Sequence, residues 1–166
     1  QEVDYLMRLF KKYFSQLKKN KKFRKYAVRI NFIGRLNLFS ENIQGIMQNL
    51  MEETKNNKKL IINFAMGYGG RSEIIDGIKR LITDIRNHRL DENEITEERF
   101  KDYLYLHSEP EIIIRTGGEI RISNFLLYQS AYSEWFFLKK LWPEITKRDI
   151  MNVIEEYKKR ERRFGN

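Results

Sequence analysis

Apolar residues recur along this chain with two alternating periods. Between Glu2 and Lys19 they stand at Val3, Leu6, Met7, Phe10, Phe14 and Leu17, the spacing of one helix face. A basic stretch follows, Lys18 to Lys25. The period then shortens: Ala27-Val-Arg-Ile-Asn-Phe-Ile33 alternates like a strand and stops at Gly34. Ser40 stands at an N-cap position ahead of Ile43, Ile46, Met47, Leu50 and Met51, which predicts a helix to about Thr54. Leu60 to Met66 reads as a buried strand. It breaks at Gly67-Tyr-Gly-Gly70, and a helix opens near Arg71 or Ser72 and runs to about Asn87. Polar residues Asp91 to Glu94 lead to a short helix, Thr96 to Tyr105. After Pro110 comes a short strand, Glu111 to Arg115, then a Gly117-Gly118 turn and a helix from about Asn124 to Tyr132. Trp135 to Leu138 reads as a last strand. Pro143 breaks the chain, and Thr146 caps a final helix to about Arg162.

Helices alternating with short β-branched strands predict βαβ units. The expected fold is α/β, a mostly parallel central sheet flanked by helices in three layers. No internal repeat and no low-complexity linker divides the 166 residues, so one domain, 1–166, is expected.

Composition narrows the chemistry. The chain is 41% hydrophobic and 13% aromatic, too apolar for a disordered segment. It has no cysteine, which excludes a disulfide scaffold, a zinc-thiolate site and a cysteine nucleophile. Its two histidines, His88 and His107, argue against a multi-histidine metal site. No run of apolar residues is long enough to span a bilayer. Lys and Arg exceed Asp and Glu by 32 to 23, a net charge of +9, so the chain attracts phosphates of some kind. Nucleic acid, lipid headgroups and small diphosphates all satisfy that charge. No nucleic-acid-binding motif accompanies it.

Ligands of open parallel sheets lie beyond the carboxyl ends of the strands. Two such ends carry unusual residues. Met66-Gly-Tyr-Gly-Gly-Arg-Ser72 is either an anion-binding turn with exposed amides or a tight turn that needs glycine. Ile114-Arg-Thr-Gly-Gly-Glu-Ile-Arg-Ile-Ser-Asn124 brings Arg115, Arg121 and Ser123 to one strand end. Two guanidiniums and a hydroxyl suit a diphosphate, with Ser123 and Asn124 as cap donors at a helix start. Glu119 and Glu134 add carboxylate oxygens of the kind Mg²⁺ takes. The plainer reading is a surface ion-pair cluster in which Glu119 neutralises Arg121. The basic run Lys158 to Gly165 is either a solvated helix face or a second phosphate contact.

The stretch from Ile114-Arg-Thr-Gly-Gly-Glu-x-Arg-Ile-Ser-Asn-Phe to Gln129, with Ala131-Tyr-Ser-Glu134, Leu141-Trp-Pro143 and Arg160-Glu-Arg-Arg-Phe-Gly165, closely resembles the cis-prenyltransferase family. Asn63 to Arg71 resembles that family's middle motif. The resemblance implies a cis-prenyltransferase-like fold and a transferase that elongates an allylic diphosphate with isopentenyl diphosphate, each new double bond cis, with Mg²⁺ as cofactor. It implies long-chain polyprenyl diphosphate as product, with farnesyl or geranylgeranyl diphosphate as the allylic substrate. By matching positions, Arg115, Arg121 and Ser123 bind isopentenyl diphosphate, Glu134 is a metal ligand, and Arg163 and Gly165 form an Arg-x-Gly tail that reaches the neighbouring site of a homodimer. Leu60 matches a position near the floor of a hydrophobic tunnel. The implied protein is cytoplasmic, open to peripheral membrane contact, and without nucleic acid as partner.

The family's amino-terminal strand ending in Asp-Gly-Asn-Gly-Arg does not occur in these 166 residues. The expected catalytic Asp therefore lies upstream of Gln1, the domain is expected to be N-terminally incomplete, and the 166 residues alone are expected to be inactive. A second reading makes the chain a non-catalytic or partial subunit that donates the Arg163-x-Gly165 tail in trans.

Overall fold

A computed structural model describes residues 25–160 and, ahead of them, residues 8–10, 12, 13 and 16. Those six are helical; the rest of the helix expected over Glu2 to Lys19 lies outside the described residues, as do Arg163 and Gly165. The chain divides into two compact units, residues 1–68 and 69–166.

In the first unit, strand β1 (Val28–Ile33), helix α1 (Glu41–Thr54) and strand β2 (Leu60–Ala65) form a βαβ unit. The strands pair in parallel, Val28 opposite Leu60 through Ile33 opposite Ala65. Paired residues of parallel strands share a face. Val28, Ile30 and Phe32 are buried with Ile43, Met47 and Leu50 of α1, and Ile62 and Phe64 pack against them. The Phe32 and Phe64 rings stack at 5.4 Å. The outer edge of β1 is closed by side chains: Thr54 Oγ1 accepts the Ile30 amide at 3.0 Å, and Asn57 Nδ2 donates to the Val28 carbonyl at 2.8 Å. That blunts an edge that would otherwise pair with another chain. Ser40 takes the N-cap position of α1, yet its hydroxyl makes no capping bond; Gln44 Nε2 bonds the Phe39 carbonyl instead. Gly34 ends β1 at φ 114°, and a Cβ there would lie 2.2 Å from the Met66 carbonyl oxygen, so only glycine fits.

The second unit holds helices α2 (Gly70–Arg86) and α3 (Glu97–Lys101), strands β3 (Ile112–Arg115) and β4 (Glu134–Phe137), and helix α4 (Lys147–Lys159). β3 and β4 are parallel, Ile112 opposite Glu134 and Arg115 opposite Phe137. The parallel α/β pattern is thus present, as two two-stranded sheets among the described residues. Leu81, Leu90 and Tyr103 form a second core, with Ile85 and Phe100 against it.

Three sequence expectations need correction. β2, expected to be buried, is exposed at Leu60, Ile61, Asn63 and Ala65 and only half-buried at Ile62 and Phe64, which pack on the first core. Asn124 to Tyr132 is a chain of turns and not a helix, because Ser123, Asn124 and Leu126 all hold positive φ, which a right-handed helix cannot contain. The helix expected to reach Tyr105 ends at Lys101: the amides of Asp102, Tyr103 and Leu104 bond to carbonyls three residues back, tightening the chain out of α geometry. Its start is as expected, with Thr96 Oγ1 accepting the Arg99 amide at 3.1 Å. Thr146 likewise caps α4 in a reciprocal box with Asp149.

Candidate diphosphate site

β3 delivers Arg115 as its last residue, half-buried, into the loop that leads to β4. Its Nη1 donates to Ser123 Oγ at 2.9 Å and also to the Arg121 carbonyl. Arg115 and Ser123, expected together, are together. The guanidinium keeps Nη2 and Nε for a ligand. Ser123 is exposed, and because its oxygen already accepts from Arg115, its own proton is left to donate outward.

The Arg121 backbone joins this cluster while its side chain turns to Glu119, Nη1 to Oε2 at 2.5 Å. That is the ion pair of the plainer sequence reading, and it is exposed at both ends. An exposed pair is a weak one. A diphosphate, with more negative charge than a single carboxylate, competes for Arg121 at little cost.

The amides of Gly117, Gly118 and Gly70 bond inside the protein. Gly117 N–H donates to the Lys140 carbonyl at 2.8 Å and Gly118 N–H to the Leu138 carbonyl at 3.0 Å. Gly70 N–H donates to the Asn124 carbonyl at 2.7 Å, and Arg71 N–H to Asn124 Oδ1 at 2.8 Å. Of the amides in Met66 to Ser72, those of Gly70 and Arg71 are thus occupied by Asn124. Asn124 does not start a helix as expected; it accepts at the start of another one.

Glu134, half-buried, opens β4 and lies opposite Ile112, so Arg115 is three residues further along the ladder, about 10 Å by strand rise. Its Oε2 accepts from Arg160 Nη1 at 2.6 Å, and Arg160 lies over the Phe136 ring at 4.1 Å. Bonds to Glu134 first and Glu156 second raise the Arg160 pKa above its ordinary value, so it stays cationic. Sequence reasoning missed this role of Arg160; nothing in local spacing relates it to Glu134, 26 residues away. Glu134 is one hard oxygen donor, and among the described residues no group of three or more acidic or histidine side chains is arranged to hold a metal ion. A single carboxylate of this kind could join phosphates and waters around an ion such as Mg²⁺.

Leu60 is the first residue of β2, in the first unit, and half-exposed on the side-chain face it shares with Ile62 and Phe64. His107, given no role, is exposed beside Asp102, Nδ1 to Oδ1 at 3.2 Å.

A second missed feature is Glu73. It is fully buried on the inner face of α2 with Gly70, Gly77 and Leu81, and Oε1 accepts from the amides of Tyr105 and Leu106 and from Gln129 Nε2. The signal was present: a Glu in helical register with small and apolar residues.

Comparison with known proteins places the chain in a family. A family model described as "Putative undecaprenyl diphosphate synthase" matches residues 1–165. The chain is 46% identical over 167 residues to the tritrans,polycis-undecaprenyl-diphosphate synthase (geranylgeranyl-diphosphate specific) of Pyrococcus horikoshii, covering 99% of this chain and 63% of that protein. It therefore spans less than two thirds of that relative's length. It is 44% identical to the isoprenyl transferase of Thermotoga maritima, over 99% of this chain and 70% of that one. Among solved structures, "a probable undecaprenyl diphosphate synthase" from Campylobacter jejuni superposes with TM-score 0.88 at 33% identity, covering 99% of this chain and 75% of that one. Lavandulyl diphosphate synthase from Lavandula x intermedia, in complex with dimethylallyl diphosphate, gives 0.89 at 27% identity, covering 99% and 72%. With a match along nearly its whole length, the chain belongs to the cis-prenyltransferase family of undecaprenyl diphosphate synthases and their relatives.

Proposed function

We propose that the protein elongates an allylic prenyl diphosphate with isopentenyl diphosphate in cis configuration, giving a long-chain polyprenyl diphosphate, and that this chain carries the isopentenyl diphosphate site. The observation that carries the reading is the Arg115–Ser123 contact at the end of β3, with Arg121 beside it, in a chain of this family.

In this reading Arg115 and Arg121 hold the isopentenyl diphosphate headgroup and Ser123 donates to one of its oxygens. Fixing that headgroup orients the terminal double bond toward the allylic carbon, so that bimolecular attack becomes an oriented, effectively unimolecular one. Glu134 would help to hold Mg²⁺, which when bound would supply charge that stabilises a departing diphosphate. The terminal methylene carbon of isopentenyl diphosphate bonds to the allylic C1 as the C1–O bond to pyrophosphate breaks, and the tertiary cation so formed loses a proton from its C2 to the released pyrophosphate or water, which regenerates a double bond. Arg121 exchanges Glu119 for the diphosphate as the substrate enters. Leu60 contributes to the apolar wall around the growing chain. Arg163 and Gly165 complete the neighbouring site of a homodimer, and the protein works in the cytoplasm with its product passing to a membrane surface. Farnesyl and geranylgeranyl diphosphate are both allylic substrates of the right chemistry.

The test is incubation of the purified protein with Mg²⁺, labelled isopentenyl diphosphate and each allylic diphosphate in turn. A ladder of long cis products supports the reading. An intact protein that consumes no isopentenyl diphosphate with either primer contradicts the activity.

A further inference from the structure

We infer that Asn124 is a positioning residue for Ser123, and that the glycines at the start of α2 exist to receive it. The inference rests on the reading of Arg115, Arg121 and Ser123 as a diphosphate cradle. Ser123, Asn124 and Leu126 hold φ of 49°, 63° and 47°. Left-handed backbone is disfavoured for a residue with a Cβ, and it persists where the surroundings over-determine it.

The restraint is visible. The first amides of a helix have no intrahelical partner. The N-cap of α2 is Gly69, which has no side chain to satisfy them. Asn124 does so from 53 residues away: its Oδ1 accepts from Arg71 N–H and its carbonyl from Gly70 N–H. The approach leaves no room for side chains on the helix. A Cβ on Gly69 would lie 2.7 Å from Asn124 Nδ2, and one on Gly70 2.7 Å from Leu127 Cγ. Gly-Gly-Arg71 and Ser-Asn124 are thus two halves of one contact. Further along the same loop, Gln129 Nε2 bonds Glu73 Oε1 on the same helix. α2 pins the loop at both points, and Ser123, next to the first pin, presents its hydroxyl to Arg115. The helix sets the cradle's geometry from behind.

The test uses Asn124→Gly, which keeps left-handed backbone without strain and loses the side-chain acceptor, and Asn124→Asp, which keeps the acceptor. Steady-state KM is measured for isopentenyl diphosphate and for the allylic diphosphate, at moderate salt to screen the charge Asp adds. Asn124→Gly is expected to raise KM for isopentenyl diphosphate about tenfold while KM for the allylic substrate stays within about twofold; Asn124→Asp restores most of the loss. In a Ser123→Ala background, Asn124→Gly adds little, because it acts through Ser123. An unchanged KM in Asn124→Gly, full additivity with Ser123→Ala, or equal loss for both substrates that follows a lowered Tm overturns the inference. Ser123→Ala without effect on KM overturns the cradle reading and this inference with it. Ser123→Ala with an effect and Asn124→Gly without one overturns the inference alone.

Discussion

Arg115 and Ser123 meet across an eight-residue loop, Nη1 to Oγ at 2.9 Å, and the direction of that bond decides what the serine offers. With its oxygen accepting, the hydroxyl proton is free for a ligand oxygen. Ser123→Ala is expected to raise KM for isopentenyl diphosphate about tenfold, the scale of one hydrogen bond to a charged group. Arg115→Lys keeps the charge, loses the fork and costs about as much or more. Steady-state kinetics with isopentenyl diphosphate varied checks both; unchanged KM in both variants contradicts the assignment.

Glu134 and Arg160 give a second prediction. Arg160 Nη1 holds one oxygen of the carboxylate proposed for Mg²⁺. Glu134→Gln is expected to raise the Mg²⁺ concentration for half-maximal activity about tenfold, as expected for losing one charged ligand. Arg160→Ala removes a competitor and shifts that concentration downward. A Mg²⁺ titration of both variants reads the signs. Shifts in the same direction make Arg160 a support for the carboxylate and not a competitor.

The alternation of elements was legible because each has a strong local signature. Thr96 and Thr146 sit at true caps, and the apolar spacing of residues 43 to 51 gave α1 to within a residue of its observed start. The strands 28–33, 60–65, 112–115 and 134–137 each fall within a residue or so of their expected bounds. Asn124 to Tyr132 was misread because apolar spacing there is helical while three left-handed residues, fixed by α2 from a distance, forbid a helix. Arg115 and Ser123 were legible from residue type at a strand end. Asn124 and Arg160 were not, because each acts through a partner more than 20 residues away, and sequence spacing carries no information about that; the register of Glu73 with Gly70, Gly77 and Leu81 was legible but went unread.

Glu73 carries a stability prediction. It accepts two backbone amides and the Gln129 amide in a fully buried setting. Glu73→Ala orphans all three donors and is expected to destabilise by about 3 kcal/mol or more. Glu73→Gln retains an amide oxygen and loses less. Denaturant unfolding of both variants checks the order; equal losses would mean the acceptor oxygen is not what matters.

Acid is expected to loosen α4. The Lys140 hydrogen bond above all, then those of Thr146, hold the Asp149 carboxyl well below the usual carboxylate range. A carboxyl whose pKa is lower folded than unfolded stabilises the fold fully above its unfolded pKa, near about 3.9, and loses that contribution as pH falls toward the folded value. Protection of α4 amides, taken relative to the intrinsic exchange rate at each pH, should therefore fall below about pH 4. Asp149→Asn should flatten that fall. A fall of equal size in the variant assigns it to other groups.

The most direct measurement is a calorimetric titration of the purified protein with isopentenyl diphosphate in Mg²⁺, wild type against Arg115→Ala. The account predicts saturable binding by the wild type and a loss of about thirtyfold or more in the variant, the scale of a charge-assisted contact, at an unchanged Tm. Equal affinity in the two proteins would place the diphosphate elsewhere and contradict the account.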